Sequence, residues 1–502
     1  MLRKRILLLS CCLAMLVPGW AFAAPSARQS GDGFMIKEGV TDEIMAQIAA
    51  EKGKIKSNHL IFRMEKVTDA DVQKICAAYP DMTGIMIEKS KAVTTLAPLA
   101  ALKKLQRVKL DDLTASDLSP LAGAVEMRDF EVTTAFSSPD LKWMSGMTKL
   151  TRLVLNNRSG GSLTSLEGLP SMPGITTGTF TGEGMKPADL TPLVTAMPKL
   201  KVLKFTNAIM PDLTPLGKLA DLADLDFYGA NVKDFSPLAA CANLKTLMYY
   251  AVKGADFSTL GALTQIVELK GGLTTLADIS WVSKLPNLKK FDVFAEHVTD
   301  YSPLAQTNIE EFRIWNMRKP VGDLGFLGGM KSLKKLTFWT VDGVSNFKPL
   351  STLANLEHIE FREVNAKSGD PIDLANLAAL PALNRLEITK SKLSNTAALA
   401  SAKQLKTMKL AEAIVDGSII IDYGFVGKMP ALTVLELNKN EVRNLEGLAA
   451  STTLERLTLR DMVGITSLDP LKKMPALKQV SGIKGKFPED QVAGFPSTVR
   501  VN

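Results

Sequence analysis

The sequence predicts a right-handed, curved α/β solenoid. Each repeat is expected to place one short parallel strand on the concave face and a short helix or 3-10 turn on the convex face. Three observations predict this fold: a six-residue apolar pattern recurs along the chain, its copies lie about 22 residues apart, and a proline-containing phrase follows many of them. A repeat of this length is typical of stacked units that bury one continuous core.

The six-residue pattern predicts the strands. It has an apolar residue, two variable residues, a second apolar residue, one variable residue and a third apolar residue. The clear copies begin at Leu150, Leu200, Leu222, Leu244, Leu288, Ile309, Leu333, Leu356, Leu383, Leu405, Leu432 and Leu454, and weaker copies begin at Met82, Leu105, Met127, Ile175, Ile266 and Leu477. The last three positions alternate inward, outward and inward, as in a half-buried strand.

The proline-containing phrase predicts the other half of each repeat. It reads DLSPL at Asp117, DFSPL at Asp234 and DYSPL at Asp300. Proline suits the first turn of a helix, so a short helix or 3-10 turn is expected to begin there. The following leucine should point back at the strand. The aspartate recurs at a fixed phase, which indicates turn capping and not catalysis.

The spacing of 22 residues between Leu200 and Leu288 and the DxSPL phrase resemble the leucine-rich repeat family, in particular the internalin type of exported bacterial proteins. The resemblance extends from about Phe62 to the C-terminus. The family usually has asparagine three residues after the third apolar position. Asn440 fits that pattern, whereas the corresponding residues elsewhere include Ala230, Met317, Val341 and Val364. A regular asparagine ladder is therefore not expected.

The first 23 residues are expected to be a secretory signal peptide. A basic start at Arg3–Arg5 precedes a mostly apolar stretch at Ile6–Val17 and a small-x-small pattern that ends at Ala23. A membrane anchor is the alternative, but this apolar stretch is too short to span a bilayer. Cleavage would remove three basic residues and lower the formal charge from +8 to +5. So mild a charge, with no dense basic block, does not favour a nucleic-acid partner, and no membrane span is expected after cleavage.

The remaining chain divides into three expected parts. Residues 24–58 should be a loose N-terminus and a helical cap, with a helix from Thr41 to Lys52 that stops at Gly53. Residues 59–480 should form the solenoid of about 18 repeats, with a second helix that starts at Asp69. Residues 481–502 should form a C-terminal capping half-repeat with a last helical turn and a closing strand.

Three stretches interrupt the repeat. One is the glycine-rich segment from Gly174 to Pro187, which is expected to bend or loosen the stack. The other two are insertions around Asn365–Pro371 and Val415–Asp422. Both insertions follow a strand and should emerge on the same edge of the solenoid, as binding loops or, by slight preference, as tolerated surface loops.

No catalytic site is expected. Three histidines, His59, His297 and His358, fall on separate repeats, and no familiar hydrolase, zinc or phosphate-loop motif is present. Cys76 and Cys241 should be buried free thiols, because their repeats are seven strand spacings, about 34 Å, apart, whereas a disulfide needs Cα atoms within about 7 Å. The sequence predicts a non-enzymatic protein with no cofactor and no metal.

One row of aromatic residues is the candidate binding site. The residue after the third apolar position is Tyr228, Tyr250, Gly271 or Gly272, Phe294, Trp315 and Trp339 in successive repeats. These side chains should face solvent along about 25 Å of the concave face. The candidate ligand-binding residues on that face are Asp226, Tyr228, Tyr250, Asp292, Phe294, Arg313, Trp315, Trp339 and Arg362.

Two functions remain open from the sequence. Exposed tryptophan, tyrosine and arginine are typical anchors of an interface, which favours an exported, non-catalytic protein that binds a protein, or else a glycan, on its concave face. Alternatively, the rings only cover the sheet and pack on one another, which would suit a structural scaffold of the envelope or cell surface. The expected location is the periplasm or the outside of the cell, and the oligomeric state is left open.

Overall fold

A computed structural model describes residues 27–30, 32–53, 55, 59–207, 212–252, 254–272, 276–294, 297–317, 320–415, 421–442 and 445–502. The expected signal peptide, residues 1–23, lies outside these ranges. So does most of the second insertion, residues 416–420. None of the helices in the described ranges is long and apolar enough to cross a membrane.

One large sheet runs the length of the described chain. Its first strand, β1 (Ala27–Ser30), is antiparallel to β2, and all of its other pairings are parallel. The parallel strands are β2 (Gly33–Lys37), β3 (Ile61–Glu65), β4 (Gly84–Glu88), β5 (Arg107–Asp111), β6 (Asp129–Thr134), β7 (Arg152–Asn157), β8 (Thr177–Thr181), β9 (Val202–Thr206), β10 (Asp224–Tyr228), β11 (Thr246–Tyr250), β12 (Glu268–Gly272), β13 (Lys290–Phe294), β14 (Glu311–Met317), β16 (Lys335–Val341), β18 (His358–Arg362), β20 (Arg385–Thr389), β22 (Thr407–Ala411), β24 (Val434–Asn438), β25 (Arg456–Arg460), β26 (Gln479–Ser481) and β27 (Arg500–Val501).

Short helices connect these strands on the other side of the core. The α-helices are α1 (Asp42–Lys52), α2 (Asp69–Ala78), α3 (Thr191–Ala196), α4 (Leu374–Ala378), α5 (Glu446–Ala449), α6 (Asp469–Lys472) and α7 (Glu489–Ala493). The 3-10 turns are Ala97–Ala101, Ser119–Gly123, Lys142–Met144, Thr214–Lys218, Ser236–Ala240, Phe257–Ala262, Ser280–Lys284, Ser302–Gln306, Gly325–Gly329, Lys348–Thr352, Thr396–Ser401 and Val426–Lys428. Strand and short helix alternate, so the fold is a leucine-rich repeat solenoid with the sheet on its concave face, as the sequence predicts.

Each repeat fills its core with the second and fourth residues of its strand. In β10 these are Leu225 and Phe227, both at most 1% exposed. Equivalent rings stack from repeat to repeat: the centroid of Phe205 lies 6.0 Å from that of Phe227. The leucine of the proline phrase closes the core from the other side, and Leu238 is fully buried. A single repeat could not bury these residues alone, so the stack stabilises itself.

The recurring aspartate caps the 3-10 turn, as the sequence predicts. The Oδ1 atom of Asp234 accepts a hydrogen bond of 2.7 Å from the backbone N–H of Ser236, and Asp300 accepts one of 2.8 Å from Ser302 in the same way. The hydrogen bonds from Ser302 lower the pKa of Asp300. These carboxylates are therefore used in holding the turn.

The N-terminal part differs from the expectation of a loose segment with one helix. The helix α1 is capped by Thr41 and ends at Gly53 as predicted. However, β2 already pairs in parallel with β3, so the parallel part of the sheet begins at Gly33. Of its 21 described parallel strands, 19 begin within residues 59–480, the range for which about 18 repeats are expected. At the other end, α7 and β27 supply the helical turn and the closing strand expected there.

Buried side-chain hydrogen bonds between repeats occur at some positions of the described chain. Asn365 is fully buried, and its side chain accepts from the backbone N–H of Val344 at 3.0 Å and donates to the carbonyl of Asp370 at 2.7 Å. In the central repeats the same phase is apolar, and Val341 is buried without any such bond. Asn365 lies one residue past Val364, the position at which the family pattern has asparagine.

The insertion around Asn365–Pro371 lies on the edge of the solenoid that follows the strands. There the backbone N–H of Lys367 donates to Asp342 at 3.1 Å, and that of Gly343 donates to Ser368 at 3.1 Å. Small parallel sheets form along this edge, from β15 (Gly322–Asp323) with β17 (Val344–Asn346), and from β19 (Ile372–Asp373), β21 (Lys392–Ser394) and β23 (Ile414–Val415). The loop is thus held by its neighbour.

The two cysteines are free and buried, as predicted. Burial raises the pKa of the Cys76 thiol to about 12 and that of Cys241 to about 11. Thiols with such pKa values are poor nucleophiles at neutral pH.

Candidate binding surface

The concave face presents three rows of side chains, one from each outward position of the strands. The first, third and fifth residues of a strand point away from the core, and we call these rows the first, middle and outer row. The register is one residue to one residue from β10 to β18. The rows are therefore regular columns along the sheet.

The outer row contains the aromatic residues in the register that the sequence predicts. Successive partners in this row are Tyr228, Tyr250, Gly272, Phe294, Trp315, Trp339 and Arg362. We refer to Tyr228, Tyr250, Phe294, Trp315 and Trp339 as the aromatic stripe. Of the two glycines left open by the sequence, Gly272 is the one in this row.

The rings are less exposed than the sequence analysis predicts. Tyr228 is 51% exposed, whereas the other four are half-buried. The centroids of Trp315 and Trp339 lie 4.4 Å apart at an interplanar angle of 63°, so each ring covers part of the other. The expectation of freely exposed tryptophans is wrong in this respect, because neighbouring rows lean over the rings.

Charged groups of the chain hold both tryptophans. The indole N–H of Trp315 donates to Asp292, and that of Trp339 donates to Glu360 at 3.0 Å. The guanidinium of Arg313 lies 5.5 Å from the ring centroid of Trp315 and 5.4 Å from that of Trp339. These distances fit cation–π contacts. The pair is therefore a preorganised apolar platform with a fixed orientation.

Two adjacent glycines of β12 leave space for neighbouring rings, Gly271 on the core side and Gly272 on the concave side. A Cβ atom on Gly272 would lie 2.4 Å from Cβ of Phe294, so Phe294 occupies the space above this position. A Cβ atom on Gly271 would lie 2.0 Å from Cζ of Tyr249, whose buried ring fills the core side. The stripe is continuous across β12 because its neighbours lean into the gap.

Partial burial changes the acidity of groups beside the stripe. Burial, with the nearby carboxylate of Asp292, raises the pKa of Tyr250 to about 12. Burial also raises the pKa of Asp292, against the opposing effect of Arg313, whose Nη1 lies 3.2 Å from Oδ2. Burial raises the pKa of Asp226, with only Lys204 opposing it. The carboxylates in this part of the face are partly removed from water.

Two depressions adjoin the stripe. One has a volume of about 180 Å³ and lies over the first and middle rows of β12 to β16, where Lys290, Lys335, Arg313 and Thr337 line it. The other, about 250 Å³, lies beyond Trp339 over β18 to β24 and includes Arg362. The face is thus uneven around the tryptophan pair, which gives a partner surface to fit.

The N-terminal part of the same face is occupied by the chain's own ion pairs. Arg152 contacts Asp129 at 2.9 Å and Glu131 at 2.7 Å, and Arg158 contacts Asp111 at 3.0 Å. Side chains that are already paired with each other in this way would contribute little binding energy to a partner. The aromatic stripe is the part of the concave face with a different composition.

The remaining ionisable groups include histidines and carboxylates on separate repeats. No cluster of three or more histidine, cysteine, aspartate or glutamate side chains that could hold a metal is found among them. His358 lies in the first row, where its Nε2 is 3.4 Å from Oε1 of Glu387, and His297 lies on a different repeat. The concave face around the stripe has depressions, aromatic rings and charged side chains, which are features of binding surfaces.

All nine predicted site residues lie on the concave face between β10 and β18. Sequence reasoning missed the role of Thr337, which is 1% exposed although it occupies an outward position of the middle row. Its burial results from the long side chains around it, and no local pattern signals it. The insertion near Gly369 borders this region, whereas the one near Gly417 falls outside the described residues.

Several solved structures are similar to this chain at low sequence identity. No family model matches the sequence, and no curated protein matches it significantly. Among solved structures, an internalin (InlF) from Listeria monocytogenes is 18% identical over 77% of this chain and 88% of its own, with a TM-score of 0.36. A leucine-rich repeat protein from Leptospira interrogans is 14% identical over 87% of this chain and 92% of its own, with a TM-score of 0.41. A plant peptide hormone receptor, solved in complex with RGF2, is 15% identical over 84% and 81%, with a TM-score of 0.38.

Proposed function

We propose that this chain is an exported, non-catalytic binding protein that recognises a protein ligand on the concave face of its leucine-rich repeat solenoid. The observation that carries the proposal is the aromatic stripe, in which rings occupy the outer row of β10, β11, β13, β14 and β16. Tryptophan, tyrosine and arginine dominate the binding energy of protein interfaces. A row of them on an otherwise charged face is the best candidate for an interface.

The fixed geometry of the tryptophans supports binding. Trp315 and Trp339 are oriented by Asp292 and Glu360 before any ligand arrives. A ligand therefore does not have to immobilise them, and that lowers the entropic cost of association. The depressions on either side of the pair would receive side chains of the partner.

The proposal includes no catalytic step. The recurring aspartates hold the turns, and both cysteines are buried with raised pKa values. Binding also needs no cofactor or metal. The ligand class we favour is a protein, because charged groups of both signs surround the stripe, and a glycan is the alternative tested below.

Export is the other part of the proposal, and the pattern of residues 1–23 supports it. Expression of the full chain in its source cell should give a mature protein that begins at Ala24. N-terminal sequencing and cell fractionation would check both points. A mature chain that retains Arg3–Arg5 inside the cytoplasm would contradict export.

A structural scaffold is the second candidate, and one observation favours it. The tryptophan rings contact each other and the chain's own carboxylates, as they would if they only sealed the sheet. The two functions differ in one respect: a scaffold needs no ligand at the stripe. They can therefore be separated by asking what touches Tyr228 in the cell.

Photocrosslinking makes that test. A photoreactive amino acid replaces Tyr228, which is 51% exposed on the concave face, and a matched control replaces Val125, which is 47% exposed outside the strands. We expect a defined crosslinked protein from position 228 and not from position 125. Replacing Trp315 and Trp339 with alanine should abolish it. Equal crosslinking at both positions, or a product that survives the tryptophan replacements, would contradict binding at the stripe.

A further inference from the structure

The middle row contains one carboxylate that is left without a partner. Its six carboxylates in the described strands are Glu131, Asp226, Asp292, Glu360, Glu387 and Glu436. Each of five has a partner within 3.3 Å, namely Arg152, Arg313, Trp339, Arg385 and Lys409. Asp226 has no ion pair or hydrogen bond with any described side chain, although it is half-buried. Leaving a desolvated carboxylate unpaired is unfavourable.

The surroundings of Asp226 suit a cation. Tyr228 follows it on β10, and Tyr250 lies in the next strand, so aromatic rings stand in the adjacent row. Burial raises the pKa of Asp226. Lys204, its partner on β9 in the same row, is the cation that opposes the rise in the pKa of Asp226, and the two do not form an ion pair. A ligand ammonium or guanidinium would thus meet both a carboxylate and ring faces.

An unpaired charge of the opposite sign lies at the other end of the stripe. Arg362 on β18 follows Trp339 in the outer row and is exposed. Its guanidinium lies 5.9 Å from the ring centroid of Trp339, and it forms no ion pair with any carboxylate in the described ranges. Arg313, by contrast, is paired with Asp292. Arg362 is therefore available to an anionic group of a ligand.

The separation of the two charges sets a length. From β10 to β18 there are six strand steps, which amount to about 29 Å at about 4.8 Å per step. An extended polypeptide rises about 3.3 Å per residue, so about nine residues span this distance. The rings of the stripe lie between the two charges.

We propose that the concave face binds an extended polypeptide segment of about nine residues, with a basic side chain at Asp226, an acidic group at Arg362, and apolar or aromatic side chains over the stripe between them. This inference rests on the proposed function and specifies its ligand. Charge complementarity selects the occupant. A nucleic acid or an acidic glycan would place negative charge on Asp226, and a neutral glycan would leave both charges unpaired.

A displayed library of random 12-residue peptides on the immobilised full chain tests the inference, because it contains both chain directions. Enriched sequences should carry Lys or Arg and Asp or Glu about nine positions apart, with apolar or aromatic residues between them. Asp226→Asn should remove the preference for the basic residue, and Arg362→Gln the preference for the acidic one. Glu436→Gln and Arg460→Gln, which change the same rows away from the stripe, should alter neither preference.

The affinity of the best enriched peptide gives the magnitude. By fluorescence anisotropy, Asp226→Asn and Arg362→Gln should each weaken binding by about fivefold, the upper end of the range for charge pairs at a protein surface. Lys204→Gln should strengthen binding, because it removes the cation that competes for Asp226. An unchanged or weaker affinity for Lys204→Gln would count against the position assigned to the basic residue.

The outcomes separate this inference from the proposed function. Peptides that need Trp315 and Trp339 but show no charge preference would overturn the inference and leave binding at the stripe intact. Peptides that ignore both tryptophans would contradict the proposed function itself. If no peptide is enriched and a glycan array binds the chain instead, the polypeptide ligand is refuted.

Discussion

The tryptophan pair permits a quantitative test, because its two rings contact each other and separate charged partners. The perturbation is a double-mutant cycle of Trp315→Ala, Trp339→Ala and the double variant. An edge-to-face aromatic pair is worth about 0.5–1.5 kcal/mol beyond its buried area. With centroids 4.4 Å apart, we expect a coupling energy of about 1 kcal/mol in the free energy of unfolding.

The single variants should cost more than the coupling alone. Trp339→Ala also loses the hydrogen bond to Glu360, worth about 1 kcal/mol, and the ring face for Arg313 and Arg362, worth about 0.5–1 kcal/mol for each cation–π contact at an exposed site. Together with the coupling to Trp315 of about 1 kcal/mol, the total is about 3–4 kcal/mol. The core variant Leu336→Ala, at a fully buried position, should cost about 2–5 kcal/mol. Stability alone does not distinguish interface from core, so binding must be measured as well.

The assay combines urea unfolding, followed by circular dichroism, with crosslinking from position 228. Solenoids can unfold in steps, so the comparison uses the transition that all variants share. The tryptophan variants should lose the crosslink while they remain folded, and Leu336→Ala should keep it at temperatures where it is folded. A coupling energy near zero would show that the rings do not touch. Full crosslinking by the double variant would show that the partner uses another surface.

Three further outcomes follow from buried groups. Tyr249→Phe should raise the stability by about 1–3 kcal/mol, measured by urea unfolding, because the buried hydroxyl has no hydrogen-bond partner among the described residues; a loss would reveal a partner such as a bound water. Cys76 and Cys241 should both remain unlabelled by a thiol reagent in the folded protein and both react after unfolding, as buried free thiols do; an unreactive unfolded chain would indicate a disulfide. The neighbouring His358 ring helps to lower the pKa of Glu387 to about 2 from 4.5. Ionised Glu387 therefore stabilises the folded state above about pH 4.5, and this stabilisation is lost as the pH falls towards 2. Glu387→Gln should make the unfolding midpoint less dependent on pH in that window, and an unchanged dependence would exclude this contact.

The phase of the repeat could be read from the sequence, and with it the direction of most side chains. The pattern that begins at Leu222 places Leu225 and Phe227 inward and Asp226 and Tyr228 outward, and the structure has this arrangement. The reason is physical: alternation along a strand is fixed by its geometry, and a slip by one residue would expose the core. The row of rings was predictable for the same reason.

The apolar pattern does not identify the first two parallel strands, although β3 lies inside the solenoid expected from residue 59. In β2 the inward residues Phe34 and Ile36 fit the pattern, but the leading apolar position is taken by Gly31. In β3 that position is His59. β2 nevertheless pairs with β3, and pairing between distant segments is not visible in a local pattern.

The interactions of the rings were also beyond the sequence. Which acceptor an indole N–H finds depends on the side-chain conformations of two neighbouring repeats. Trp315 turns back to Asp292 on β13, whereas Trp339 turns forward to Glu360 on β18. Residues in the same row and of the same type therefore make opposite choices, because their neighbours in the middle row differ.

The unbroken register of the large sheet places the outward side chains of the concave face at regular spacings. From β9 to β25, each residue of a strand faces its counterpart on the next strand with no bulge. The position of every outward side chain is then given by its strand and its row, and neighbouring strands lie about 4.8 Å apart. Outward positions of this face could therefore be redesigned one at a time. Moving an aromatic residue from one strand to the next would shift a contact by a known distance without disturbing the core beneath it.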